Sequence, residues 1–335
     1  MPRRVAPAVA LFFLSPLVGE YMFGNVSIDA IGMLLIFAPM YGAGAVLIRE
    51  VARRMRRGWP TIFVLGLAYG VIEEGLITQL LFNPSYSTYG VEVTGPTYLP
   101  SLGINVVMTL SVITLHTIWS VCVPIAIVEA LVPRRSTTPW LGALGLAVAA
   151  VVFLLGSSYI AVSISREEGF LASTPQLIGT FLASALLIAV ALRARERSLP
   201  RVKRSAPSPW VAGAVSLAMT IALMLFNVWT LGRSITREGP LSGWVSVALW
   251  FALVVAAVVL IMHWSRRDGW GAPHHLALAG GALLTYALIA FPQEPIVGST
   301  GAIDLAGNTI FLLGAGALLA AAASALRRYR RGPSQ

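Results

Sequence analysis

Two adjacent acidic residues, Glu73 and Glu74, interrupt an apolar stretch that runs from residue 60 to residue 82. An ionised carboxylate inside hydrocarbon costs at least ~2.5 kcal/mol on insertion scales, so acids in such positions usually serve a function. Neighbouring side chains on a helix point about 100° apart. We therefore expect one acid to face a cavity while a partner holds the other. A protonated acid beside a carboxylate would suit general acid and base chemistry.

A histidine in the next apolar stretch, residues 103 to 131, is the expected partner of these acids. Asn105, His116 and Ser120 are spaced so that they share one helical stripe. His116 lies near the middle of its stretch, as Glu73 does, and the two stretches are antiparallel neighbours. We therefore expect His116 to contact the glutamates, a combination that can activate a water molecule with or without a metal.

These observations define a predicted site with two groups of residues. The predicted catalytic residues are Glu73, Glu74 and His116, and the supporting residues are Asn105, Ser120 and Gln79. The sequence requires no cofactor; if a divalent metal such as zinc takes part, Glu74 and His116 are its expected ligands. The alternative is that the acids and the histidine satisfy one another as polar contacts between helices.

Other polar residues have simpler interpretations. Glu20 is predicted to be an interfacial carboxylate, although it could complete a cavity, and Glu129 is predicted to pair with Arg134 or Arg135. The segment 49–57 is predicted to be a polybasic loop facing anionic lipid. The loop from residue 83 to residue 100 is either a lid over the glutamates or an aromatic interfacial loop.

The pair Glu73-Glu74, followed in the next helix by His116-Thr-Ile-Trp119-Ser120, resembles a motif set of the glutamate intramembrane proteases. These are the CAAX-prenyl protease and bacteriocin-processing family and the sigma-factor-activating membrane proteases. The resemblance covers only these two stretches. It implies a glutamate-activated water that attacks a peptide carbonyl, with His or Asn stabilising the oxyanion. Thr78 stands where those families have Arg or Lys, and their second histidine on a later helix has no counterpart.

The elements that must position these residues are membrane-spanning helices. The chain of 335 residues is 57% hydrophobic and 11% charged, with a mean hydropathy of +0.78, and a span needs roughly 20 apolar residues. We predict an all-α, polytopic transmembrane bundle of about ten spans. Their predicted ranges are 5–23, 29–48, 60–82, 103–131, 140–164, 176–194, 210–231, 243–264, 274–291 and 304–326.

The basic residues predict the orientation of the bundle. With the amino terminus inside, all Lys and Arg residues except Arg166, Arg233 and Arg237 fall on the cytoplasmic side. Both termini are therefore predicted to be cytoplasmic. Lys203 is the only lysine, and this excess of arginine favours a bacterial source and a plasma-membrane location. The basic residues lie in short clusters between apolar runs, which argues against a nucleic-acid partner.

The chain is predicted to divide into a four-helix region, residues 1–133, that carries the site, and a six-helix region, residues 134–335. The second region is predicted to consist of three repeated two-helix hairpins. Pro139, Pro209 and Pro273 each open a run, and the first two runs lead to acidic turns at 165–169 and 236–239. The alternative is that Pro at helix starts and polar turns recur in any membrane hairpin.

The leading functional prediction is an intramembrane glutamate-dependent hydrolase, a protease that acts on a membrane protein or peptide. Membrane lipid is the other expected partner. The sequence has no HExxH, GxSxG or Walker motif, so covalent serine hydrolysis and nucleotide chemistry have no support. The alternatives are a proton-coupled transporter or lipid-binding membrane protein, and a membrane scaffold without chemistry.

Overall fold

The computed structural model describes residues 2–86, 91–92, 94–194, 200–234 and 243–332, and most of them are helical. The first half contains α1 (Pro2–Pro16), α2 (Leu34–Arg54), α3 (Trp59–Ile72), α4 (Val106–Leu115) and α5 (Val123–Leu131). The second half contains α6 (Ala143–Glu168), α7 (Thr174–Arg193), α8 (Pro209–Ser234), α9 (Gly243–Ser265), α10 (Ala272–Ile289) and α11 (Ala302–Arg330). A 3₁₀ turn, Ile28–Met33, leads into α2.

Three π-helical turns extend or join these helices. Leu17–Tyr21 continues α1, Glu73–Ile77 continues α3, and His116–Cys122 joins α4 to α5. A π turn has i→i+5 hydrogen bonds, as between the Thr78 N–H and the Glu73 carbonyl oxygen at 2.8 Å. With its π turn, α4–α5 forms one continuous apolar segment, Val106–Leu131.

Eight helical segments in the described part of the chain are long and apolar enough to cross a membrane. They are Ile28–Arg54, Trp59–Ile77, Val106–Leu131, Ala143–Glu168, Thr174–Arg193, Gly243–Ser265, Ala272–Ile289 and Ala302–Arg330. Two shorter apolar helices, Val5–Tyr21 and Pro209–Leu225, coincide with the remaining two predicted spans. The prediction of a helical, multi-pass membrane protein is confirmed at this level.

Short strands occur only in the connections between the described helices. The pairs β1 (Ser85–Tyr86) with β2 (Val91–Glu92) and β3 (Tyr98–Leu99) with β4 (Ile104–Asn105) are antiparallel and lie between α3 and α4. The strand β5 (Val202–Ser205) runs parallel to β6 (Arg267–Asp268) and joins the α7–α8 and α9–α10 connections.

The connections meet at two ends of the bundle. At one end, which we name the acidic end, Asn25 accepts a hydrogen bond from Gln293, and the Ala172 N–H donates to Gln79. At the other, the basic end, Arg57 donates to the carbonyl of Ala194. The acidic end comprises residues 22–33, 78–86, 91–92, 94–105, 169–173 and 290–301, and the basic end comprises 55–58, 132–142, 200–208 and 266–271.

A buried ion-pair cluster closes the basic end. Arg53 Nη2 lies 2.7 Å from Glu129 Oε2, and Arg49 pairs with both Glu50 and Glu129. The Arg49 guanidinium also lies 3.5 Å from the ring centroid of Trp140. The prediction of a lipid-facing loop over 49–57 is therefore wrong, because α2 continues to Arg54 and folds its charges inward. Glu129 pairs with Arg49 and Arg53 of α2, whereas the sequence predicted a pair with Arg134 or Arg135.

The last six helices do not pack chiefly as sequential hairpins. Helix α6 packs on α2, α7 packs on α3, and α8 makes its largest contact with α10. Of the three predicted hairpin pairs, only α10 and α11 make an extensive contact with each other, and both also pack on α5. One large hydrophobic core contains residues from both halves of the chain, such as Trp119 and Tyr286, whose rings stack at 4.2 Å. The predicted turn 236–239 lies outside the described residues.

Helix α3 ends earlier than its apolar run predicts. The π turn ends at Ile77, and Gln79 adopts a positive φ of 57°, which turns the chain away from the helix axis. Leu80 and Leu81 continue the apolar pattern but are buried in the protein. Glu73 and Glu74 consequently lie near the acidic-end terminus of this segment and not at its middle.

Candidate functional site of paired glutamates and a histidine

The residues of the candidate site lie on the three π-helical turns. Glu73 and Glu74 open the turn after α3, His116 and Ser120 belong to the turn between α4 and α5, and Glu20 belongs to the turn after α1. Such turns occur often at functional sites. Because a π turn is wider than an α turn, successive side chains diverge less in direction. Both adjacent glutamates can therefore reach the same histidine.

Glu74 is held from two directions. Its Oε1 lies 2.7 Å from Nε2 of His116, and its Oε2 accepts a 2.8 Å hydrogen bond from the Thr78 hydroxyl. The carboxylate side chain is 5% exposed, and the histidine is 14% exposed. Both oxygens therefore have partners that fix the carboxylate, and Glu74 fixes the ring of His116 in turn.

Glu73 faces the other nitrogen of the same ring. Its Oε2 lies 3.0 Å from Nδ1 of His116, and the side chain is 1% exposed. Neither carboxylate oxygen has an aligned hydrogen-bond donor among the residues that the structure describes. Buried polar atoms almost always have a partner, so an unsatisfied carboxylate oxygen needs an explanation. Glu73 is thus the acid with acceptor capacity left for a water or a substrate.

Ser120 places a hydroxyl beside the same nitrogen. Its Oγ lies 3.1 Å from His116 Nδ1, and its backbone carbonyl accepts a 2.6 Å hydrogen bond from Ser15 on α1. A Cβ atom on Gly19 would lie 3.1 Å from this hydroxyl oxygen, so α1 approaches it closely. Nδ1 therefore has two alternative neighbours, a hydroxyl and a carboxylate.

Two tyrosines form a wall of the site. The ring of Tyr41 lies 5.8 Å and that of Tyr69 lies 6.4 Å from the His116 ring, measured between centroids. The Tyr69 hydroxyl is buried without an aligned partner in the described part of the chain. Both rings are nearly buried and place apolar surface beside the imidazole, and such a surrounding strengthens the electrostatic interactions of the site.

A family model matches residues 9–328, which is nearly the whole chain. Its description is "Uncharacterized membrane protein family". The chain belongs to this family. Searches among curated proteins and among solved structures found no match. The family description assigns no activity, so the geometry of the site is the basis for its function.

Two of the predicted supporting residues, Asn105 and Gln79, bond to groups other than Glu73 and Glu74. The side chain of Asn105 accepts hydrogen bonds from the Met108 N–H and from Thr97, and so caps the start of α4. It lies about three helical turns before His116. The Gln79 side chain accepts a 2.6 Å hydrogen bond from the Ala172 N–H and ties α3 to the α6–α7 connection. Both are corrections: each residue stabilises a helix end.

The geometry does not fit a metal on Glu74 and His116. A histidine ligand needs one free ring nitrogen, whereas both nitrogens of His116 face protein oxygens. Among the residues that the structure describes, no group of three His, Cys, Asp or Glu side chains is suited to hold a metal. No chemical step is therefore assigned to a metal in this member of the family.

Sequence reasoning underestimated Glu20. The residue is 8% exposed, and its carboxylate accepts hydrogen bonds from the Tyr41 hydroxyl and, at 3.0 Å, from Asn25 Nδ2. Its carboxylate is buried in the protein beside the site and lacks the exposure expected of an interfacial carboxylate. A weak signal existed, since Glu20 is the only acid in the first apolar run. No spacing in the sequence links it to Tyr41, which comes from another helix.

Proposed function

We propose that this protein is an intramembrane hydrolase that cleaves a membrane-embedded peptide with a glutamate-activated water. The observation that carries the proposal is the difference between the two acids. Glu74 is fully paired with Thr78 and His116, whereas Glu73 has a buried, unaligned carboxylate 3.0 Å from His116 Nδ1. This division supports Glu73 as the general base and Glu74 as the residue that positions His116.

The alternative of purely structural polar contacts explains only half of this arrangement. The bonds of Glu74 are what interhelical polar contacts require. A structural network would be expected to align a donor with Glu73 as well, yet its carboxylate has only the unaligned contact with His116 Nδ1. A buried polar group without an aligned partner needs an explanation, and a catalytic role is one such explanation.

The proposed reaction is a single hydrolytic cycle. Glu73 takes a proton from a water whose oxygen attacks the peptide carbonyl carbon, and the carbonyl π electrons move to oxygen. The N–H on His116 Nδ1 donates to this oxyanion once its present neighbours, Glu73 Oε2 and Ser120, give way. When the oxyanion re-forms the carbonyl, the C–N bond breaks and the amine takes the proton back from Glu73. Glu74 keeps the imidazole oriented through Nε2.

The test compares membrane-protein fragments between cells that produce wild-type protein and cells that produce Glu73→Gln. Glu167→Gln, which changes an exposed acid on α6, is the matched control. We expect Glu73→Gln to abolish a set of fragments that the control retains. Identical fragments in all three strains would reject hydrolysis, provided that the proteins accumulate to equal levels.

A topology of ten spans with both termini in the cytoplasm belongs to the same proposal. The two short apolar helices, Val5–Tyr21 and Pro209–Leu225, supply the two further spans. The alternation of connections between the acidic and basic ends supports this count, and the positive-inside rule supports a cytoplasmic basic end. A bacterial plasma membrane is the proposed location. Duplication of a hairpin within residues 134–335 is proposed from the recurring Pro residues at helix starts.

Proton-coupled transport is the second candidate, because buried titratable groups also serve transport. The observation that favours it is the hydrogen-bonded Glu20, which lies beside the site and has no role in the hydrolytic cycle. Transport predicts that Glu73→Gln abolishes pH-driven uptake or release in proteoliposomes while the fragment pattern stays unchanged.

A further inference from the structure

Glu20 connects the site to the surface of the acidic end. Its Oε2 accepts from Asn25 Nδ2 at 3.0 Å, and Asn25 Oδ1 accepts from Gln293 Nε2 at 2.8 Å. Asn25 and Gln293 are both half-buried, and the neighbouring Glu294 is exposed. A continuous series of polar side chains therefore runs from the exposed connection 290–301 to a buried carboxylate on α1.

Tyr41 connects Glu20 to the paired glutamates. Its hydroxyl donates to Glu20 Oε1 and also approaches the Glu73 carboxylate, without the alignment of a full hydrogen bond. Its ring lies 5.8 Å from that of His116, measured between centroids. A tyrosine hydroxyl has one proton to donate and two lone pairs that accept. It can therefore accept from one acid while it donates to another.

We propose that Glu20 and Tyr41 form a proton path between the acidic-end surface and Glu73, with Asn25 and Gln293 at its entrance. The path begins with a protonated Glu20. Tyr41 passes its proton to the Glu73 carboxylate and receives the proton of Glu20, which becomes a carboxylate again. A hydronium ion from the solvent then protonates Glu20 at Asn25 and leaves a water molecule. Charge is conserved at each transfer, and no oxidant or metal takes part.

Other titratable groups also face Glu73, so the path must be separated from them. Glu74 and Tyr69 come from its own helical segment, and His116 comes from the α4–α5 segment. These groups exchange protons with Glu73 inside the site. Among the described residues that approach Glu73, only Tyr41 also bonds to Glu20. Removing the hydroxyl oxygen of Tyr41 should therefore interrupt this path and leave the other proton exchanges of Glu73 intact.

The experiment measures proton exchange at Glu73 in the purified full-length protein, without substrate. After transfer from H₂O to D₂O at several pH values, infrared spectroscopy follows the shift of the protonated carboxyl band that disappears in Glu73→Gln. Tyr41→Phe and Glu20→Gln should slow this shift by about tenfold or more, the equivalent of losing one hydrogen bond. Asn25→Leu, at the half-buried entrance, should slow it in the same direction.

Tyr21→Phe is the matched control, because it removes a buried tyrosine hydroxyl that bonds to the Ala30 carbonyl and not to an acid. It should leave the exchange rate unchanged. Equal rates in wild type, Tyr41→Phe and Asn25→Leu would overturn the path. A Glu73 that shows no protonated band at any pH would also overturn it. The outcome is independent of the fragment test, because exchange requires no cleavage.

Discussion

Oε1 of Glu74 lies 2.7 Å from Nε2 of His116, although α3 and α4 are separated in sequence by the whole connection 78–105. The contact joins two helices at a point where each has a π turn. It is therefore a tertiary contact that helps to fix how these two helices pack. The same contact orients the imidazole toward Glu73. The packing of the two helices and the proposed reaction therefore both depend on the contact between Glu74 Oε1 and His116 Nε2.

Replacing His116 by Leu should destabilise the protein, because it leaves two buried acids without their shared partner. Removing one partner of a buried ion pair typically costs about 3–5 kcal/mol. We expect a clear fall in the midpoint of thermal unfolding in detergent, and a partial recovery in the triple variant that also carries Glu73→Gln and Glu74→Gln. A triple variant less stable than the single one would show that the acids do not depend on His116.

Arg53→Met should be strongly destabilising, because it removes a guanidinium with two hydrogen bonds to the Glu129 carboxylate. Both side chains are less than a tenth exposed, so the remaining charge would be buried without its main partner. A loss of about 3 kcal/mol is expected. Arg54→Gln is the control, because Arg54 is 31% exposed and lies 3.9 Å from Glu50. The free energy of unfolding of Arg54→Gln should fall by no more than about 1 kcal/mol, measured by the same unfolding curves.

The helix positions were predictable because lipid imposes a length and an apolar composition on each span. The predicted spans 243–264 and 176–194 agree with α9 (Gly243–Ser265) and α7 (Thr174–Arg193) to within a few residues. The early end of α3 was not predictable, because Leu80 and Leu81 are equally apolar whether they face lipid or the protein interior. A pattern of hydropathy does not distinguish these two environments.

The residue types of the candidate site were predictable, whereas the depth of the glutamates in their helix was not. Acids and a histidine in apolar runs identify Glu73, Glu74 and His116 as unusual, and the structure brings them together. The π turns have no known spacing in sequence, so the convergence of both acids on one ring was not derivable. Arg49 was misread for a related reason, since charge near a helix end usually indicates the lipid interface.

Gly42→Ala should separate α1 from α2. A Cβ atom at this position would overlap the carbonyl oxygen of Phe12, so the two backbones must move apart. Small residues allow such close helix contacts in membranes, and overpacking typically costs about 1–3 kcal/mol. Gly314→Ala in α11 is the control, because nothing lies within 4 Å of its added Cβ. Unfolding midpoints that fall equally for both variants would contradict the predicted close approach.

Tyr86 should make the stability of the protein depend on alkaline pH. This residue lies in β1, between the membrane-spanning segments, and is 2% exposed. Burial raises the pKa of its phenol, and the charges of Glu74 and Glu168 raise that pKa further. Because the folded pKa exceeds the unfolded value of about 10, the stabilisation is fully present below pH ~10 and is lost as the pH rises further.

Tyr86→Phe tests this expectation, because it keeps the ring and removes the ionisable group. We expect wild type to lose stability between pH 9 and pH 11, measured as the midpoint of thermal unfolding in detergent, relative to Tyr86→Phe at the same pH values. The sign follows from linkage: above its unfolded pKa the phenol releases a proton on unfolding, which favours the unfolded state. Parallel pH profiles for the two proteins would show that the phenol of Tyr86 is accessible to solvent, and that β1 does not bury it against Leu80 and Met108.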